Sequence, residues 1–149
     1  MDYFEDFVVG ALTEFDGSYL VTEEEIMEVG RRWDPQPFHT DPVAAADSVF
    51  GGLVASSAHL FFMAISLGVN ARPSAAVSSL GFPAIDTHAP VRPGDVLSMQ
   101  ARVLDSRLSR SRPGTGIVIT RGEMLNQDDV LVFSFENAGL FRCRDTEAS

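Results

Sequence analysis

An uncharged and mostly apolar segment lies near the middle of the sequence, and it reads Ala55-Ser56-Ser57-Ala58-His59-Leu60-Phe61-Phe62-Met63-Ala64-Ile65-Ser66-Leu67-Gly68. Its composition predicts a helix over about residues 56–68, which Ser56 or Ser57 caps and Gly68 ends. Because apolar residues occupy nearly every side of this helix, we expect it to be buried all round instead of lying on a surface. The remaining elements should therefore wrap around it.

Strands predominate after this segment. Residues 97–103 alternate between apolar and polar side chains, which is the period of two expected of a half-buried strand. Further strands are predicted at 77–88, 117–125 and 130–141, and Pro83 places the first of them at a sheet edge or a bulge. Strands grouped after helices favour an α+β fold, in which a single antiparallel sheet wraps around the buried helix.

The part of the chain before the central segment predicts one further helix. Residues 11–21 indicate a short hairpin, or two extended pieces, around the Asp16-Gly17 turn. Thr22 then begins a helix that should end near Trp33. Thr22 and Glu25 have the spacing of a capping box, in which the Glu25 side chain reaches back to the Thr22 amide.

A proline-rich stretch follows this helix from Trp33 to Pro42 and carries Asp34 and His39. Proline cannot continue a helix and restricts the residue before it, so we expect a stiff, irregular loop that holds these two proton-transfer groups. Asp41 before Pro42 is explained as the N-cap of a short helix that reaches about residue 47.

Composition and charge exclude several classes of protein. The chain has 149 residues, is 45% hydrophobic and carries a net charge of -10. We expect one folded domain over 1–149, with no disorder, no membrane span and no binding to nucleic acid or anionic lipid. Cys143 is the one cysteine, which excludes an internal disulfide and favours the reducing cytoplasm. The unpaired sheet edge and the amount of apolar surface favour a homodimer.

The basic residues Arg107, Arg110 and Arg112 fall close together in this acidic chain. Arginine binds phosphate through two parallel hydrogen bonds, so the cluster is a candidate site for a small molecule that bears phosphate. A solvated basic loop is the alternative, and composition alone favours it.

The organisation of the chain and its proline-rich stretch resemble the MaoC-like dehydratases, the (R)-specific enoyl-CoA hydratase group of the hotdog fold. The hydratase motif of that family runs Asp-any-Asn-Pro-aliphatic-His-any-Asp, and here it reads Asp34-Pro35-Gln36-Pro37-Phe38-His39-Thr40-Asp41. The resemblance also covers the helix after Gly51-Gly52, the turn at 90–95 and Asn126-Gln127 before the last strand. It extends from about Phe4 to Arg142.

The resemblance implies reversible addition of water to a trans-2-enoyl-CoA, which gives a 3-hydroxyacyl-CoA. Asp34 and His39 would be the catalytic pair, and the backbone N–H of Ser57 would stabilise the thioester enolate at the start of the central helix. The family usually has Gly at the position of Ser57. The substrate is itself the coenzyme A thioester, so no further cofactor is implied. Weaker candidates for contact with the substrate are Ser56, His59, Arg107, Arg110 and Arg112.

Several alternatives stay open at this point. His59 either faces the substrate or forms a hydrogen bond in the core, and the core role is favoured, as it is for His88. A metal site at Asp34, His39 and Asp41 is disfavoured because no further His or Cys lies nearby in the sequence. The competing functions are a hotdog acyl-CoA thioesterase and a non-catalytic protein that binds acyl-CoA. The thioesterase would be expected to carry a carboxylate on or near the central helix, and residues 55–70 contain none.

Overall fold

A computed structural model describes residues 1–144 of the chain. A short 3-10 turn at Phe4–Asp6 precedes four helices and six strands in the described range. The helices are α1 (Glu23–Trp33), α2 (Pro37–Thr40), α3 (Pro42–Ala46) and α4 (Ser57–Ala71). The strands are β1 (Leu12–Glu14), β2 (Tyr19–Leu20), β3 (Ala76–Thr87), β4 (Val96–Leu108), β5 (Thr115–Leu125) and β6 (Leu131–Arg142).

The strands form one antiparallel sheet in the order β1-β4-β5-β6-β3, and β2 also pairs with β4. The predicted hairpin at 11–21 does not form, because β1 and β2 each pair with β4 and not with each other. The alternative of two extended pieces is therefore correct. β3 is an edge strand with register shifts on both sides of Gly81, which confirms both features predicted from Pro83.

Helix α4 packs its buried side chains against the concave face of this sheet. Leu60, Met63 and Leu67 lie in one core cluster with side chains of β4, β5 and β6. The sequence thus predicted the fold correctly: an antiparallel sheet wrapped around a central helix, which is the hotdog arrangement. None of the helices in the described range combines the length and apolar character that crossing a bilayer requires.

Two details of the α4 prediction are wrong. The helix continues past Gly68 to Ala71, since one interior glycine costs only about 1 kcal/mol and the core contacts of α4 outweigh it. The helix is also not buried all round. Phe62 is 48% exposed, Ile65 39% and Val69 66%, because the sheet of one chain covers only one side of α4. These three residues are called the open face of α4 below.

Candidate active site

Asp34 and His39 lie on adjoining helix ends. Asp34 is the C-cap of α1, and its N–H donates to the carbonyl of Gly30 over 2.9 Å. His39 belongs to α2, which begins with Pro37 at its first turn. The prediction of an irregular loop is therefore wrong in one respect, because the stretch contains a helical turn. Proline suits the first turn of a helix, where its missing N–H is not needed.

The structure brings the two side chains together. His39 Nε2 lies 3.4 Å from Asp34 Oδ2, and the His39 side chain is 7% exposed against 39% for Asp34. His39 Nδ1 lies 2.6 Å from the carbonyl oxygen of Val54. A carbonyl oxygen only accepts, so Nδ1 of His39 carries a proton, and Nε2 is the ring nitrogen that faces the Asp34 carboxylate. At this separation a single water molecule can contact both Nε2 of His39 and Oδ2 of Asp34.

A glycine in α1 makes room for the backbone of His39. A Cβ atom placed on Gly30 would lie 2.7 Å from the carbonyl oxygen of His39 and 2.9 Å from its Cβ. Any side chain at this position would therefore push α2 away from α1. The sequence carried a signal of this contact, because glycine is unfavourable inside a helix and needs a packing reason.

Backbone hydrogen bonds tie the segment before α4 to the same place. The N–H of Val54 donates to the carbonyl of Phe38, and the N–H of Ala55 donates to the carbonyl of Val91. The Phe38 ring packs between the rings of His39 and Phe50, with centroids 4.6 and 5.2 Å away. The contacts hold α2 next to the entry of α4.

The first turn of α4 has two residues at the surface. Ser56 is the N-cap, and its Oγ accepts from the N–H of His59 over 3.2 Å. Ser56 itself is only 1% exposed, so it acts here as a cap and does not offer its side chain to a ligand. Ser57 and Ala58 are exposed at the beginning of the helix. Early backbone N–H groups of a helix have no partner within it and lie at the positive end of the helix dipole.

His59 lies in the core, as favoured, and it has an unpredicted partner. It is 1% exposed, and its Nε2 lies 2.9 Å from Oε1 of Glu25 on α1. The hydroxyl of Tyr19 donates to the same oxygen. The predicted hydrogen bond between the Glu25 side chain and the backbone N–H of Thr22 is therefore wrong. The other half of the capping box is present, because the Thr22 hydroxyl accepts from the N–H of Glu25. These three residues, Tyr19, Glu25 and His59, are called the polar chain below.

The polar chain has a defined pattern of protons. Partial burial works to raise the pKa of Glu25, but the hydrogen bonds from Tyr19 and His59 outweigh it and the pKa lies below its ordinary value. Burial, together with the bond to Glu25, raises the pKa of Tyr19 to about 12. Because an ionised carboxylate only accepts, His59 donates through Nε2. Its Nδ1 is buried and has no partner within residues 1–144. Burying such an atom costs about 1–3 kcal/mol.

The predicted arginine cluster does not reach this site within one chain. Arg107 lies near the end of β4 and Arg110 and Arg112 lie beyond it, whereas Val91, which holds the entry of α4, precedes the start of that strand. Arg107 pairs weakly with Asp105 at 3.8 Å, with both side chains more than half exposed.

The sole tryptophan of the chain borders Asp34 at the end of α1. The Trp33 side chain is 54% exposed and meets the ring of Phe62 on α4 edge-on at 5.9 Å. The guanidinium of Arg32 lies 4.5 Å above the Trp33 ring. An open depression of about 430 Å³ extends along α1 from Thr22 to Trp33, and it includes neither Asp34 nor His39.

His88 directly follows β3, which ends one residue before the predicted strand, and it has a hydrogen-bond partner on β6. Its Nε2 lies 2.8 Å from the hydroxyl of Ser134, which is fully buried and also accepts from Arg121. Within residues 1–144, His, Cys, Asp and Glu side chains form no group of three that could hold a metal ion, at Asp34 and His39 or at any other place.

Comparison with known proteins identifies the family. The model of the MaoC like domain matches residues 8–122. The MaoC-like dehydratase from Rhodospirillum rubrum is 32% identical, and the match covers 96% of this chain and 98% of that one with a TM-score of 0.89. A search of curated proteins finds no match.

Two more distant structures share the fold. R-hydratase PhaJ1 from Pseudomonas aeruginosa is 18% identical, with 99% of this chain and 91% of that chain covered and a TM-score of 0.70. RV0216 from Mycobacterium tuberculosis, which has a double hotdog fold, is also 18% identical, with a TM-score of 0.78 over 99% of this chain and 46% of that chain. On the family model and the 32% identity, this chain belongs to the MaoC-like domain family.

Proposed function

We propose that this protein is an acyl-CoA hydratase/dehydratase, which adds water reversibly to a trans-2-enoyl-CoA to give a 3-hydroxyacyl-CoA. The observation that carries the proposal is the approach of Asp34 Oδ2 to His39 Nε2 at 3.4 Å, with His39 Nδ1 committed to the Val54 carbonyl. Membership of a family that includes dehydratases supports it.

The geometry suits the proton transfers of the reaction. The water oxygen forms a bond to the β-carbon while a proton reaches the α-carbon, so one group accepts a proton and another supplies one. Asp34 and His39 both lie within reach of one shared water molecule, and the short helices α1 and α2 fix their positions. Proximity of this kind supplies much of the rate of an enzyme.

The start of α4 is the proposed site for the charge that develops on the thioester oxygen. A preorganised N–H donor stabilises such an enolate, and Ser57 keeps the backbone N–H that Gly supplies in most of the family. Because Ser57 is exposed, its side chain has space to turn away from a bound thioester. The coenzyme A thioester is the substrate, and the proposal involves no cofactor.

A direct assay tests the function. Purified protein is expected to hydrate crotonyl-CoA, which removes the absorbance of the conjugated thioester, and the product should be a 3-hydroxyacyl-CoA. Release of free thiol without hydration would contradict this proposal and indicate an acyl-CoA thioesterase. Binding of acyl-CoA with neither reaction, over a panel of chain lengths, would favour a non-catalytic role. The cytoplasm is the proposed setting for this metabolism.

We also propose that a second copy of the chain covers the exposed apolar surface. The β3 edge carries Val77, Leu80, Phe82 and Ile85, each at least 39% exposed, and it contacts α4 through the rings of Phe61 and Phe82. A row of unpaired backbone groups with apolar side chains is suited to pairing with another strand.

The oligomeric state can be tested with two matched leucines. Leu80→Glu on β3 is expected to convert a dimer into a monomer, as measured by light scattering after size exclusion. Leu108→Glu at the far end of β4 alters a side chain of comparable exposure, 65% against 52%, and should leave the mass unchanged. A monomeric wild-type protein would contradict the proposal.

A further inference from the structure

The polar chain is the one hydrogen-bonded connection between α1 and α4 in residues 1–144. His59 occupies the first turn of α4, directly after Ser57 and Ala58, and Glu25 occupies the first turn of α1. Apolar contacts supply the remainder of the packing between the two helices, with Ile26 in the shared core and Trp33 against Phe62. A hydrogen bond is more directional than an apolar contact, because it requires a defined angle between donor and acceptor.

His59 is held at two points. Its backbone N–H donates to Oγ of Ser56 over 3.2 Å, and its side chain donates from Nε2 to Glu25 over 2.9 Å. The main chain on either side of Ser57 and Ala58 is thus fixed by Ser56 before it and by His59 after it. The direction of the two exposed N–H groups follows from these two attachments.

Helix α1 also positions the other half of the site. Its C-cap is Asp34, and its Gly30 receives the backbone of His39. Asp34 lies nine positions after Glu25, which corresponds to about 14 Å along the helix axis. Helix α1 therefore contacts both parts of the site. Its C-terminal end positions Asp34 and His39, and its first turn binds the first turn of α4.

We propose that Tyr19, Glu25 and His59 are positioning residues, which fix the first turn of α4 relative to Asp34 and His39. This inference rests on the proposed function, since it gives the N–H of Ser57 a role in that reaction. Tyr19 holds the Glu25 carboxylate in place, and Glu25 in turn holds the imidazole. The positioning role requires no contact between these three residues and the substrate.

Glu25→Ala tests the inference, with Glu24→Ala as the matched control. Glu24 is the exposed neighbour on the same helix and has no part in the polar chain. We expect Glu25→Ala to lower kcat by about 10-fold with little change in KM, because a small misplacement of a preorganised group is costly. Glu25→Gln keeps an acceptor for His59 and should restore most of kcat. Equal kcat values for Glu25→Ala and Glu24→Ala would overturn the inference.

A second variant separates positioning from stability. His59→Leu replaces the imidazole by an apolar side chain that the core can accept, and it removes the unpartnered Nδ1. We expect its melting temperature to equal or exceed that of the wild type while kcat falls as in Glu25→Ala. Wild-type kcat in a folded His59→Leu protein would contradict the positioning role.

A measurement that needs no reaction distinguishes this inference from the proposed function. Residual dipolar couplings report the orientations of the Ser57 and Ala58 N–H bonds. They are expected to change in Glu25→Ala and to keep their wild-type values in Glu24→Ala and Glu25→Gln. Unchanged couplings in Glu25→Ala would overturn the inference, even in an active hydratase. If the wild-type protein did not hydrate enoyl-CoA but the couplings changed in Glu25→Ala, the proposed hydratase function would be wrong and the positioning role would stand.

Discussion

Asp34→Asn and His39→Gln are each expected to lower kcat/KM for hydration of a short-chain enoyl-CoA by about 10²- to 10⁴-fold. Asn has the shape of Asp but cannot take a proton from water, and Gln retains polar atoms near Val54 without an exchangeable ring proton. Because both groups act on one water molecule, the double variant should lose little more than either single variant. Steady-state absorbance kinetics measure all three.

Asp41→Asn is the control for this pair. Asp41 lies in the same stretch, and its Oδ1 accepts from the N–H groups of Val43 and Ala44 as the N-cap of α3. Asn caps helices as well as Asp does, so this variant should keep wild-type activity. Full activity in both Asp34→Asn and His39→Gln, or an equal loss in Asp41→Asn, would refute the catalytic assignment.

Gly30→Leu is expected to reduce kcat/KM by about 10²-fold and to destabilise the protein by about 1–3 kcal/mol. The added side chain meets the backbone of His39, which cannot rotate away as a flexible side chain would. Helix α2 must therefore move, and His39 Nε2 moves with it. Denaturant unfolding and the hydration assay measure the two effects.

Gly68 provides a second interior helix glycine for comparison. A Cβ atom on Gly68 would contact the end of the Met99 side chain at 3.6 Å, an ordinary van der Waals distance. Gly68→Ala should therefore keep activity and gain up to about 1 kcal/mol from better helix propensity. If Gly30→Ala behaved like Gly68→Ala, the close packing of α1 on α2 would not matter for the site.

Local sequence patterns predicted the features that depend on near neighbours. Ser56 caps α4 and Thr22 caps α1 because a cap needs only the next three residues. The proximity of His39 and Asp34 could also be anticipated, because the two residues lie five positions apart in the sequence and the prolines between them restrict the backbone.

The errors come from contacts between distant parts of the chain. Glu25 has the spacing for a capping box, but its carboxylate pairs instead with His59, which is 34 residues away in the sequence. Gly68 does not stop α4, because the core beneath it favours another turn. The open face of α4 could not be predicted from periodicity. The sequence pattern of apolar residues is the same whether the sheet of the same chain or another molecule covers them.

The position of Trp33 has a spectroscopic consequence. Because it is the one tryptophan of the chain, the indole emission of the whole protein originates beside Asp34 and against Phe62. Its half-exposed ring senses solvent polarity at the border of the site, so ligand binding or coverage by another subunit acts directly on the emission. The protein thus contains a built-in fluorescent reporter, and equilibrium titrations of this site need no attached dye.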